Sequence, residues 1–519
     1  MREEHSTREE SVPPAVPGGF LGAIERIGNR LPDPAALFLA LLLLVWGLSA
    51  LLAQVQFDAV HPQTGAPIAV VNLLSGAELT RFLTELIPTF TGFAPLGIVL
   101  VALLGVGVAE HLGLIDACLR GLLGVAAKRW LTPLVILVAI LSHTAVDAGY
   151  VVVIPLAAAI FHAAGRHPLA GIAAAFAGVS GGFSASFIPS ALDPLLQGVT
   201  QAAGQVIDPQ LMVNPLSNWL FMSASSLLVI GGGWWLTDRM VEPRLSRLYP
   251  RPGGTAEPVA AIGAAERRGL WWAGVGLLLL LVALVLAVVP GESALRDPAT
   301  GSLTSAAAPL MRVIVPFILV FFLVPGVLYG LGAGTLHSHR DVVAGMTRSM
   351  ETMGHYIVMA FFAAQFIAAF GRSNLGILLA ASGAETLQGW ALPPQLMVFG
   401  VILLTGCINL FVGSASAKWL LLAPVFVPLL MQLGIAPELA QAAYRIGDSS
   451  TNIITPLMPY FPLIVVFCRR YVSDAGIGTL AAMMLPYSLF LLTTWSLLLL
   501  AFWVLGLPLG LQGRYGYPG

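Results

Sequence analysis

Charge is scarce in this sequence. Only 10% of its 519 residues are Asp, Glu, Lys or Arg, and lysine occurs twice, as Lys128 and Lys418. With 57% hydrophobic residues and a mean hydropathy of +0.87, a water-soluble globular domain is excluded. Cysteine is scarce too: Cys118, Cys407 and Cys468 are far apart and form no Cys-x-x-Cys, which excludes a disulfide framework and a zinc ribbon. Catalytic signatures are missing as well. There is no His-Glu-x-x-His, no Gly-x-Ser-x-Gly and no phosphate-cradling loop ending in Lys-Ser/Thr, so neither hydrolysis nor ATP-driven work by this chain is expected. No cofactor and no nucleic-acid partner are expected either; lipid is the expected surrounding.

What is present is long apolar sequence. Stretches near 35–54, 93–112, 215–237, 270–290, 311–333, 356–371 and 480–507 each have the length that a hydrocarbon core of about 30 Å requires. The first follows Arg26 and Arg30, is long enough to span and has no clear small-residue cleavage site after it, so it reads as a retained helix. Residues 131–196 and 393–468 are different, apolar but interrupted by Pro, Gly, Ser, Asn and Asp. Interrupted backbone at membrane depth is tolerated only when buried in protein or lining a watery cavity.

These two regions repeat one another at a constant offset of 269 residues. Ala148 falls on Ala417, Pro155 on Pro424, Gly165 on Gly434, Pro168 on Pro437, Gly178 on Gly447 and Ser180 on Ser449. Matching Pro and Gly mark matching backbone geometry. Each copy reads as a helix inward, a polar tip (Ser142–Ala148; Gly413–Lys418), a helix back, a tight turn and a broken helix. With the N-terminus placed in the cytoplasm, loop Arg and Lys residues divide eighteen inside to five outside. That division requires both hairpins to be re-entrant and the copies to be inverted.

The expected fold is therefore an all-α polytopic membrane protein, nine transmembrane helices plus two re-entrant hairpins in an inverted repeat. Its expected parts are N-terminal scaffold helices (1–130, with external loop 55–92), a first hairpin and broken helix (131–208), scaffold helices with a cytoplasmic linker 239–268 (209–390), a second hairpin and broken helix (391–471), and a C-terminal helix (472–519). Amphipathic helices are expected from Glu78 to Ile87 outside and from Arg340 to Glu351 along the inner surface.

Candidate site residues cluster in the two copies. The first offers the tip Ser142-His143-Thr144-Ala145-Val146-Asp147, the break Ser180–Ser186 and then Asp193. The second offers Asn409, the tip with Ser414, Ser416, Lys418 and Trp419, and the break Asp448-Ser449-Ser450-Thr451-Asn452, with Arg445 one turn earlier. Small hydroxyl residues at helix breaks let backbone dipoles face a ligand or cation, which makes Ser180 and Ser449 candidates beside the acids. Each assignment has a purely structural alternative. Ser and Thr in membrane helices usually bond their own backbone, and Arg445 with Asp448, three apart, reads equally as an ion pair on one helix face. Asp193 reads as a helix cap or a proton or cation carrier. Lys418 reads as a carboxylate attractor or the partner of an acid, and Trp419 as an interface anchor or an aromatic stacking surface. His143 and Asp147 read as a proton relay or a satisfied pair. In favour of function, a charge at membrane depth is costly, by at least about 2.5–3.5 kcal/mol.

The strings GVSGGFSAS (178–186), GSASAKW (413–419) and RIGDSSTNIITPLMPYFP (445–462) resemble the AbgT family of aminobenzoyl-glutamate transporters, elevator-type carriers of the ion-transporter superfamily, and the likeness covers essentially the whole chain. It implies a homodimer in the bacterial inner membrane, each subunit dividing into scaffold and transport core, that moves p-aminobenzoyl-glutamate or sulfonamide-like antimetabolites with H+ or Na+ as the coupling ion. The family's functional positions match here as Asp193, Asn409, Trp419, Pro437, Arg445, Asp448 and Pro456. A Na+-coupled dicarboxylate carrier of the same superfamily is the alternative. On either reading Asn409, Ser414, Ser416, Lys418, Trp419, Pro437, Arg445, Asn452 and Pro456 are expected at the substrate, and Asp193, Asp448, Ser180 and Ser449 at the coupling ion or proton.

Overall fold

The computed structural model describes residues 32–57, 59–60, 65–124, 128–144, 149–249 and 262–518. Eight helices among them are long and apolar enough to cross a membrane. Seven coincide with the stretches read from the sequence: Pro34–Leu52, Gly76–His111, Trp219–Leu248, Ala264–Val288, Ile314–Ala333, Gly354–Arg372 and Ile477–Val504. The eighth, Ala415–Gln432, is the return arm of the second hairpin and is mostly buried inside the protein. Lipid-facing character is clearest in Ala264–Val288, where Leu279 and Leu286 are more than 60% exposed.

The first hairpin consists of Leu131–Leu141 and Ile154–Ala163, the second of Pro394–Asn409 and Ala415–Gln432. Part of the first tip, residues 145–148 with Asp147, lies outside the described residues. A broken helix follows each hairpin: Pro168–Phe176, extended by a π-helical turn Ala177–Gly181 and resumed at Leu192–Gly204; then Pro437–Asn452, resumed at Phe461–Arg469. The repeat holds at the level of dihedral angles. Gly165 and Gly434 close the two hairpin turns at φ +76° and +74°, the left-handed region that glycine enters freely, and Pro168 and Pro437 each begin the next helix. Gly178 and Gly447 each bring the broken helix against the inward arm of its own hairpin. A Cβ on Gly178 would stand 2.5 Å from Ala139 Cβ, and one on Gly447 would meet the Ile402 carbonyl oxygen.

Two expectations about the breaks are corrected. The run Asp448–Asn452 is not the second break but the last part of a continuous helix, because Ser450 and Thr451 donate to the Ile446 and Gly447 carbonyls one turn back (2.7 Å each) and stay helical. The chain leaves the helix at 453–460 instead, where Pro456 lacks an N–H and disfavours helix at the residue before it. In the first copy the hydroxyl run is likewise partly helical, with Ser180 inside the π-helical turn and an irregular stretch of turns at 182–191. The second tip is also shorter than expected: Ser414 caps the return helix, its Oγ accepting the Ala417 N–H, so Lys418 and Trp419 lie in that helix's first turns.

Burial is inverted relative to a soluble protein. Pro437–Asn452, among the more polar helices, has every one of its sixteen residues buried. It is wrapped by the second hairpin, the C-terminal helix and the first broken helix. The amphipathic helices are present as Gly76–Thr91 and His339–Glu351. On the latter, the Asp341 carboxylate accepts the His337 and Ser338 N–H groups at 2.8 Å each, which hold it below the usual carboxylate range.

Candidate functional site

Side chains on one face of Pro437–Asn452 meet polar groups from both copies. Gln441, Arg445, Asp448, Ser449 and Asn452 are spaced three and four apart and therefore form one stripe. At its middle, Arg445 (2% exposed) reaches across to the first copy and pairs with Asp193, Nη1 to Oδ1 2.8 Å. Asp193 is itself fixed by the Ser190 N–H, which donates to its Oδ2 at 2.9 Å. Arg445 and Asp448 are thus not each other's partners: the expected ion pair on one helix face is replaced by two pairs that leave the helix.

The second pair joins Asp448 to Lys418, Oδ1 to Nζ 2.5 Å, with side chains 1% and 0% exposed. Lys418 also donates to Asn409 Oδ1, and Asn409 Nδ2 in turn donates to the Asp448 carbonyl (2.8 Å), Thr451 Oγ1 (2.7 Å) and Asn452 Oδ1 (2.8 Å). Asn452 Nδ2 returns to Asp448 Oδ2 at 3.3 Å. Asn409 therefore fastens the end of one hairpin arm to the end of the broken helix, a junction of polar groups that nothing but each other satisfies at this depth.

Trp419 is fully buried and is no interface anchor. Its ring stacks on Tyr444 at 4.5 Å between centroids, and its Nε1 donates to Thr200 Oγ1 at 3.0 Å. Gln441 Nε2 donates to the same hydroxyl at 2.7 Å. Thr200, Gln441 and Tyr444 thus belong to the constellation although the sequence reading passed over them. For Gln441 and Tyr444 the available signal was their spacing of four and one from Arg445; Thr200 carried none.

The remaining candidates fall at different depths. Ser449 Oγ accepts the Ser184 N–H at 3.1 Å, tying the second copy's helix to the first break, and Ser180 Oγ lies 3.2 Å from Met458 Sδ, tying the first copy's π-helical turn to the second break. Ser414 and Ser416, their hydroxyls 3.4 Å apart, line a cleft of about 970 Å³ together with Phe38, Tyr356, Phe411 and Leu457. Pro456 is buried in the second break. Pro437 stands at the opposite end of its helix, roughly 22 Å from Asn452 at 1.5 Å per residue, and is not gathered with the others. His143 Nε2 donates to the Val179 carbonyl in the π-helical turn of its own copy, at 2.6 Å. The described residues contain no cluster of three or more His, Cys, Asp or Glu suited to a metal.

An ion pair that joins the two copies of a repeat, a second buried pair within one copy and a cleft beside them fit the architecture of a carrier, and comparison with known proteins agrees. The AbgT transporter family profile matches residues 19–517. The chain belongs to the AbgT transporter family. It is 38% identical to the p-aminobenzoyl-glutamate transport protein of Escherichia coli strain K12, over 96% of this chain and 98% of that one. Its fold superposes on the YdaH transporter of Alcanivorax borkumensis with a TM-score of 0.88 at 45% identity, covering 92% of this chain and all of that one. MtrF of Neisseria gonorrhoeae, described as illuminating a class of antimetabolite efflux pumps, gives 0.87 at 45% identity, over 96% of this chain and all of MtrF. The AbgT protein described here is accordingly a polytopic membrane transporter and not an enzyme.

Proposed function

We propose that this AbgT transporter moves small aromatic carboxylates of the p-aminobenzoyl-glutamate kind, or sulfonamide-like antimetabolites, by cation-coupled secondary transport. The names of its relatives support that substrate class. The observation that carries it here is Arg445: it is buried at 2%, its Nη1 pairs with Asp193, and its Nε meets no acceptor. A guanidinium with a free N–H beside a fixed one is suited to a carboxylate, which it binds through parallel hydrogen bonds. The large apolar cleft, with Phe38, Tyr356 and Phe411 in its walls and Ser414 and Ser416 where it meets the hairpin tip, suits an aromatic ring with a polar end. In this reading the turn Ser414–Lys418 separates the cleft from the ion pairs and shifts to admit the ligand, within a homodimer in the inner membrane whose N-terminus is cytoplasmic.

The test is flux of labelled p-aminobenzoyl-glutamate and of a sulfonamide in proteoliposomes. Arg445→Ala is expected to weaken binding of the carboxylate by more than roughly thirtyfold, since truncating one member of a buried charged contact costs about 2–5 kcal/mol. Flux of neither compound by the wild type, or undiminished flux by Arg445→Ala, defeats the proposal.

A further inference from the structure

The two ligand kinds in the reading above, p-aminobenzoyl-glutamate and the sulfonamides, share a primary amine on a benzene ring, para to a carbonyl or sulfonyl group. Such an arylamine is neutral in a cell. Its lone pair is delocalised into the ring, so it donates two N–H bonds and accepts poorly, and a site that reads it needs an acceptor. An ionised carboxylate is acceptor-only and fits that need. Resting on the substrate reading above, we propose that Asp33 is this acceptor: the cleft holds the arylamine at the start of the first helix, while the acidic end of the ligand faces the second hairpin tip.

The walls of the cleft are divided in the same way. One side comes from Pro34–Leu52 and Gly354–Arg372 with the residue before the first of them, which place Asp33, Phe38, His355 and Tyr356 along it. The other comes from the second hairpin, with Phe411 and then Ser414 and Ser416. The two helices hold each other through the Phe38 and Phe366 rings, 6.1 Å between centroids. Tyr356 is fixed as an aromatic wall because its hydroxyl donates to the Pro95 carbonyl at 3.1 Å.

Asp33 is the one acid among the described residues that line this cleft. Its placement is set locally. Pro34 keeps it extended, at φ −49° and ψ 142°, and its Oδ1 caps the helix by accepting the Ala35 N–H at 2.8 Å. Its carbonyl accepts the Leu37 N–H at 2.9 Å. The other carboxylate oxygen, Oδ2, faces His355 Nε2 at 3.6 Å, too far for a hydrogen bond. The Asp33 side chain is 52% exposed, so the carboxylate is open to what enters the cleft. Thr352, by contrast, has its hydroxyl engaged with the Ser349 carbonyl at 2.7 Å.

An amine donating to Asp33 Oδ2 sets its ring among Phe38, Tyr356 and Phe411 and directs the para substituent to Ser414 and Ser416, whose hydroxyls can donate to an acid. Recognition is then shared between two parts of the fold. The helices read ring and amine, and the hairpin reads the acid. An aliphatic dicarboxylate leaves the first half of that site unused.

The test uses three probes that differ only at the para position: p-aminobenzoyl-glutamate, benzoyl-glutamate and p-nitrobenzoyl-glutamate, the last with acceptor oxygens where the first has donors. Their Kd values are measured on the purified full chain in lipid nanodiscs. The wild type is expected to bind the amine at least about tenfold more tightly than the nitro compound, since a hydrogen bond to a charged group gives way to acceptor facing acceptor. Asp33→Asn keeps an oxygen for the Ala35 N–H and turns the other into an amide donor. The preference is then expected to fall to about twofold or less, with benzoyl-glutamate held within about twofold of its wild-type Kd. Asp33→Ser, another helix-capping residue, is expected to level the preference too and serves if the Asn variant does not fold. A helix merely loosened by substitution would weaken all three probes alike and leave their ratio unchanged. A wild type without amine preference, or a preference that survives in both variants, overturns the assignment and leaves the transport reading standing. A wild type that binds none of the three removes both.

Discussion

The two copies of the repeat agree in backbone and part ways in chemistry. Both close their hairpins on a left-handed glycine, start the next helix on proline and press a glycine against the hairpin arm. Yet the second carries Arg445, Asp448, Lys418 and Asn409, while among the described residues the first brings to this constellation the acid Asp193 and otherwise hydroxyls and backbone. Their turns are also tethered differently. Beside Gly165, Arg166 bonds Asp238 and Glu242 at 2.5 Å each; beside Gly434, backbone hydrogen bonds link the turn to the C-terminal tail, Ala436 N to Tyr515 O and Tyr517 N to Gly434 O. Duplicated geometry sets the two copies against each other along one seam, and unequal side chains make the two sides of that seam chemically different.

If charge truly resides in one copy, deleting it there should have the largest effect. Asp448→Ala is expected to destabilise the protein by about 3–5 kcal/mol, because it strands a buried ammonium. Lys418→Met combined with Asp448→Asn should recover most of that loss, and chemical unfolding in detergent micelles reads both. If the double variant is as unstable as the single, the pair is not what holds the hairpin to the broken helix. Next in size come the paired glycines. Gly447→Ala drives a methyl into the Ile402 backbone oxygen, and Gly178→Ala one into the side chain of Ala139 and, at 2.9 Å, the Ile136 carbonyl. Each is expected to cost about 1–3 kcal/mol, with Gly447 the larger, since backbone yields less than side chain. Equal values would mean that the two helix contacts are equally soft. For the turn glycines the prediction is symmetry: Gly165→Ala and Gly434→Ala share φ near +75° and open space, so each should lose about 1–2 kcal/mol. Values that differ twofold would show the unlike tethers at work.

Much of this architecture was legible in the residues because membranes punish irregular backbone. The apolar runs located seven spans, and the Pro and Gly coincidences exposed the repeat, since those two residues report dihedral angles rather than composition. Pairing was not legible. Arg445 and Asp448 look like partners at spacing three, and only the fold reveals that Asp193, some 250 positions away in sequence, and Lys418 intervene. The position of the second break was misread for a local reason: hydroxyl-rich sequence was taken for unwound backbone, whereas Ser450 and Thr451 satisfy themselves on the preceding turn. Trp419 was ambiguous because indole suits both interface and core, and its Nε1 partner, Thr200, comes from the other copy.

The smallest effect expected belongs to two serines that the offset makes equivalent. Ser449 Oγ is the acceptor for the buried Ser184 N–H, so Ser449→Ala leaves a main-chain donor without its bond and should cost about 1 kcal/mol. Ser180 instead points its hydroxyl at the Met458 thioether, a weak acceptor, and Ser180→Ala should cost only about a few tenths of a kcal/mol. Chemical unfolding of both variants side by side isolates what the two breaks contribute to each other, because each serine reaches across the seam to the opposite copy. A larger loss at Ser180 than at Ser449 would reverse the asymmetry argued above and place the stronger cross-link in the first copy.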